Sequence, residues 1–107
     1  MRIFLVLIVM MMSSAFVMAQ DNYGFKVGGV DVTSDNYLDL TDINGVSGKV
    51  YFDPNTITLT LDNATIEAND CNAILNETCD NLLIKLLGTN TINATNSAGI
   101  YTRESTV

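Results

Sequence analysis

Four tyrosines, twelve carboxylates and two cysteines must carry whatever chemistry this chain performs, because it has no histidine and no tryptophan. Without His, the Ser-His-Asp and Cys-His nucleophiles are excluded. Paired carboxylates can cleave glycosidic bonds when held a set distance apart. Asp62, Glu67 and Asp70 lie close in sequence, but nothing in their spacing fixes that distance, so the expectation is a protein that is not an enzyme. Sugar binding asks instead for an aromatic face under the ring with hydrogen-bonding neighbours. Tyr23, Tyr37, Tyr51, Tyr101, Phe25 and Phe52 are the available platforms. Tyr51 and Phe52 are adjacent on an expected strand, so only one can face inward, and Phe is the more apolar. Tyr101 follows an inward Ile100 by one place. Tyr51 and Tyr101 are therefore the expected carbohydrate-binding residues, against the plainer reading of ordinary surface tyrosines.

The remaining polar groups offer less. With Gly45 in the sixth place of an EF-hand loop, Asp42 and Asn44 fall at places three and five. Leu40 and Tyr51 then occupy the first and last places, where carboxylates are needed. A looser calcium site from Asp35, Asp39 and Asp42 stays open beside the alternative of solvated loop acids. Cys71 and Cys79, the only cysteines, are expected to form a disulfide after export, with free thiols as the alternative and zinc disfavoured for want of further ligands. Asn63-Ala64-Thr65, Asn76-Glu77-Thr78 and Asn93-Ala94-Thr95 match the glycosylation triplet. Such triplets arise often in an Asn- and Thr-rich chain.

The net charge of −7 argues against nucleic acid and anionic membrane surfaces, whose phosphates need Lys and Arg. It permits cations and neutral polymers. Residues 1–19 read as a secretory signal peptide: Arg2, an apolar run from Ile3 to Met12, then small or compact residues at Val17-Met18-Ala19. A membrane anchor is the alternative, but the segment is short against the ~20 residues of a bilayer span. The expected location is the cell surface or the medium, with no membrane insertion after processing.

These groups must be positioned by strands. Phe25-Lys26-Val27 and Val30-Asp31-Val32 flank Gly28-Gly29, a hairpin signal that pairs Val27 with Val30 and Phe25 with Val32. Val50-Tyr51-Phe52, the turn Asp53-Pro54-Asn55-Thr56 and the alternating Ile57-Thr58-Leu59-Thr60-Leu61 make a second hairpin, with Ile57, Leu59 and Leu61 inward. Thr65-Ile66-Glu67-Ala68 with Ile74 then recurs as Thr91-Ile92-Asn93-Ala94 with Ile100, at an offset of 26. A fixed period in the twenties on strand-forming residues marks a stacked repeat, each pass burying its apolar face on the next. In the run Asn81 to Gly88, Lys85 faces water, so Leu82, Ile84 and Leu86 face in while Leu83 and Leu87 flank Lys85 outside. That parity aligns Leu59 with Ile84 and Leu61 with Leu86 at an offset of 25, and one residue must be absorbed before Ile92, most simply by a bulge. The asparagines of this region suit left-handed corners and amide ladders between passes.

Tyr23-Gly24-Phe25, Val30 to Asn36, the VYFDPNTITLTLDNATI stretch from Val50 to Ile66, and Leu83 to Ile92 resemble a family of secreted bacterial carbohydrate-binding β-helix domains related in fold to pectate lyases. The resemblance covers nearly the whole chain after residue 19, and Tyr51 to Ile66 is its most specific part. It implies an all-β, right-handed parallel β-helix exported by bacteria, binding plant polysaccharide with calcium as a possible aid. The expected organisation is a hairpin and cap region over residues 20–52 and about two rungs over 53–107. The family carries further rungs, often with Gly-Ile corners, whereas here only Gly99-Ile100 keeps that corner. The expectation is a truncated stack: either further rungs follow in a longer chain or the unit associates end to end.

Overall fold

The computed structural model describes residues 21–103, so the expected leader lies outside the described residues. Eight strands follow in order: β1 (Asn22–Val27), β2 (Val30–Thr33), β3 (Val46–Asp53), β4 (Thr58–Asn69), β5 (Ile74–Asn76), β6 (Leu83–Leu87), β7 (Thr91–Thr95) and β8 (Ile100–Thr102). Among the described residues one 3-10 turn, Leu40–Asp42, precedes β3. The chain is all-β, in two open, mixed sheets. One runs β2-β1-β5-β8 and the other β3-β4-β6, with β7 also on β4.

Each sheet is antiparallel at one side and parallel at the other. β1–β2, β1–β5 and β3–β4 are antiparallel. β4–β6, β4–β7 and β5–β8 are parallel and lay one pass of chain on the previous one. The pairs Leu59–Ile84 and Leu61–Leu86 form at an offset of 25, and Ile66–Ile92 and Ile74–Ile100 at 26, as the alternation of apolar residues demands. The extra residue sits between β6 and β7, where Gly88 to Asn90 passes Asn63 and Ala64. Gly48 of β3, Asn63 of β4 and Gly88 lie along this line, all with positive φ. A methyl on Gly48 would sit 2.7 Å from the Ala64 Cα, and one on Gly88 would strike the Asn63 side chain. Only glycine fits at either place.

Asparagines fasten the passes, by a different route from amide-to-amide ladders. They reach backbone groups of the neighbouring pass or a carboxylate. Asn63 Oδ1 accepts from the Thr89 N–H at 3.0 Å, Asn90 Oδ1 from Ala64 N–H at 2.8 Å, and Asn72 Oδ1 from Ala98 N–H at 2.9 Å. Asn96 Nδ2 donates to Asp70 Oδ1 at 3.0 Å. Polar corners must satisfy backbone groups that the ladder leaves free, and a carboxamide one pass away is in reach to do so.

One core serves both halves of the chain: Phe25, Val27, Val32, Leu40, Val50, Phe52, Leu59, Leu61, Ile66, Ile74 and Leu82 are all buried in it. The cap and the repeat therefore share an interior across residue 52. Val27 pairs with Val30 as expected, but a bulge breaks the β1–β2 register beyond Lys26, and Val30 is exposed at the hairpin tip. Ile57 leaves the expected alternation: it closes the turn before β4 with φ 52°, half-buried. Leu86 and Ile100, expected in a dry interior, stand over buried Leu61 and Ile74 yet are 59% and 48% exposed. No third pass covers them among the described residues.

Candidate functional site: a chain of hollows around Tyr51

Tyr51 lies outward on β3, as its neighbour Phe52 turns into the core. Along its row, β3, β4 and β6 place Tyr51, Thr60 and Lys85 side by side. The loop after β2 climbs over this edge. Asn36 directs it, accepting from the Thr33 N–H at 2.8 Å and donating to the Asp31 carbonyl at 2.9 Å. The Phe52 N–H then donates to the Tyr37 carbonyl at 2.8 Å, which fixes Tyr37 and Leu38 against Tyr51.

Four hollows adjoin here, sharing walls. A cleft of about 340 Å³ is framed by Tyr37, Leu38, Tyr51, Asp53, Pro54 and Asn55, with Phe52 as floor. Leu38 and Tyr51 also wall a second hollow of about 250 Å³ that reaches Asp39, Thr41 and Lys49. Phe52 and Pro54 lead on to a third of about 370 Å³ with Tyr23, Ile57 and Cys79. Tyr37, Leu38 and Asp39 continue into a fourth of about 170 Å³. The result is an extended track, with Leu38 73% and Tyr51 39% exposed along it.

The aromatics are held in place by one another. Tyr23 lies 5.1 Å from Phe52 and edge-on to Tyr37 at 5.8 Å, and Phe25 lies 4.9 Å from Phe52. Partial burial, then the Tyr37 phenol and the Asp21 carboxylate, push the Tyr23 hydroxyl above its ordinary pKa. Asp53 Oδ1 accepts from the Asn55 N–H at 2.9 Å, presenting a carboxylate and an amide beside the Tyr51 ring.

The other expected site residues are dispersed. Tyr101 is exposed on β8, in the other sheet, in a row with Leu75 and Lys26. It does not meet Tyr51. Asp35, Asp39 and Asp42 do line one hollow, but no group of three acidic, Cys or His residues suited to a metal forms among the described residues. The Asp39 carboxylate is committed to its own turn, accepting from the Thr41 N–H at 3.0 Å and hydroxyl at 2.6 Å. Those bonds hold its pKa below the ordinary value. Asp62 and Asp70 bond to Asn63 and Asn96, and Glu67 is exposed on β4.

The expected disulfide is not made: Cys71 and Cys79 are free thiols. The segment between them is not a pinched loop, since it contains strand β5. Cys71 lies against Gly29 and Cys79 against Gly24. Asn76, in one of the glycosylation triplets, is buried and holds both backbone groups of Cys79.

Sequence reasoning counted Tyr37 only among the available platforms and missed Leu38, Asp53 and Asn55 as parts of the site. Their convergence depends on the Tyr37–Phe52 backbone bond, which has no local signature. No family model, curated protein or solved structure matches this chain.

Proposed function

We propose that this chain is a secreted, non-catalytic polysaccharide-binding module whose two stacked passes open a right-handed parallel β-helix. The coil reading is supported by three parallel pairings at offsets of 25 and 26, separated by Asn-fastened corners. The observation that carries the function is the track through Tyr51. A shallow run of connected hollows suits a linear polymer better than a compact ligand, which prefers one deep pocket. Tyr51 and Tyr37 supply flat amphipathic faces for sugar rings, while Asp53, Asn55 and Lys49 supply hydrogen bonds to hydroxyls. The acidic surface favours neutral glycans over anionic ones.

Calorimetric titration with fragments of cellulose, xylan and pectin, with and without calcium, tests this reading. Heat of binding with at least one glycan, lost in Tyr51→Ala, is the expected result. Absence of heat with all of them rejects it. A second reading, a structural or adhesive surface module, is favoured by exposed Leu83 and Leu87 on either side of Lys85 on the outer face of β6. It expects Leu83→Ser with Leu87→Ser to abolish attachment to a protein partner while leaving glycan binding intact.

A further inference from the structure

Alongside the outer edge of β3 runs the loop over residues 37–43, tied to the strand at two points. The Phe52 N–H donates to the Tyr37 carbonyl at 2.8 Å and the Val46 N–H to the Ile43 carbonyl at 3.1 Å. These bonds set the loop antiparallel to β3, with Asp39 opposite Val50. That pair does not form. The Asp39 N–H donates instead to the Asn36 carbonyl at 3.1 Å, and its carboxylate starts the 3-10 turn through Thr41. The Phe52 N–H points away from β4, and the β3–β4 register is unbroken from Lys49 to Asp53. By alternation, Val50 also turns both its N–H and its C=O away from β4. Neither group has a partner among the described residues, and Val50 is 1% exposed. Its side chain lies in the core, so its main chain is what borders the hollow of about 250 Å³ between loop and strand. Sheltered main-chain groups without protein partners are rare, and they mark a place where water or a ligand completes the bonding.

We propose that this gap sets the specificity of the Tyr51 track: the Val50 N–H and C=O hold two adjacent hydroxyls of a neutral sugar ring. The inference rests on the glycan-binding reading and adds the class of glycan. A donor and an acceptor that leave one residue on the same side of a strand are close neighbours, as are the oxygens of two adjoining ring hydroxyls. One hydroxyl accepts from the N–H while the other donates to the C=O. The hollow has room for several waters at ~30 Å³ each, which the two hydroxyls displace. Its walls suit a ring, with Leu38 and Tyr51 as apolar surfaces and Thr41 and Lys49 as polar neighbours. Asp39, in the same wall, opposes a carboxylated sugar. An extended peptide is a poorer occupant, because it needs a run of free edge groups, and here Phe52 and Val46 already give their N–H groups to the loop. The linkage of the glycan follows from this chemistry. Glucomannan keeps two adjacent free hydroxyls on each unacetylated backbone ring. Laminarin is a neutral glucan joined through the middle one of three ring hydroxyls, so its free hydroxyls are separated.

Calorimetry with soluble glucomannan and with laminarin, joined to the Val50 amide resonance of the same protein, tests the proposal. Glucomannan should bind roughly tenfold or more tightly than laminarin per ring, since a sheltered polar pair left unmatched discriminates strongly. Short glucomannan fragments should shift the Val50 amide and slow its exchange with solvent. Equal affinity for the two polymers overturns the proposal. So does a Val50 amide unchanged at saturation, which would leave glycan binding intact and assign the gap to ordered water only. Heat from pectin but not from glucomannan also overturns it, and absence of heat with every glycan removes the glycan reading as well.

Discussion

Asn76 shows how much one side chain carries in a small core. It is buried, and its amide both donates to the Cys79 carbonyl and accepts from the Cys79 N–H, each at 2.9 Å. Asn76→Ala leaves two backbone groups unpaired in the interior, a loss of about 1–3 kcal/mol, readable as a lower urea midpoint. The thiols differ in a testable way. Cys71 is half-buried, whereas burial and then the nearby Asp80 push the Cys79 thiol above its ordinary pKa. Native alkylation should label Cys71 first and Cys79 only in denaturant. Two unreactive cysteines with the mass of an oxidised pair would contradict the free-thiol arrangement. At Ile57 a β-branched residue holds φ 52°, a costly conformation. Its carbonyl accepts from the Leu83 N–H at 3.0 Å, tying the strained turn to the start of the second pass. The sequence could not reveal this, since Ile57 continues a perfect alternation and only the turn geometry excludes it from the strand.

At the scale of elements, periodicity made most of the second pass legible. Alternation set the inward rows of β4 and β6, and the mismatch between offsets of 25 and 26 located an extra residue before Ile92. Its structural setting is the line through Gly48, Asn63 and Gly88. Gly48→Ala meets backbone at this line and should destabilise the protein by ~1–3 kcal/mol. Gly99→Ala, whose added methyl would lie 3.4 Å from the Ile92 side chain, should shift the thermal midpoint far less. Equal effects at the two positions would show that the corner is not tight. The 3-10 turn responds to pH. Hydrogen bonds from Thr41 lower the Asp39 pKa, so its contribution is present above the ordinary carboxylate range and lost as pH falls through the lowered folded value. The Thr41 amide resonance should therefore titrate with a midpoint below that of an ordinary aspartate; a midpoint at or above the ordinary value would mean the carboxylate is free. Exposure of Leu86 and Ile100 was not legible, because apolar patterning tells which face a residue takes but not whether another layer covers it.

For the whole molecule, the track runs along β3, at the edge of the β3-β4-β6 sheet. The track itself was only half legible. Tyr51 followed from strand parity, but Tyr37, Leu38, Asp53 and Asn55 join it through a loop crossing and a turn, contacts that no period encodes. The most direct measurement is a titration of the amide spectrum with a soluble fragment of whichever glycan gives heat. Shifts confined to residues 37–41 and 49–55 are expected; an unchanged spectrum at saturation, or shifts centred on Tyr101, would contradict the assignment.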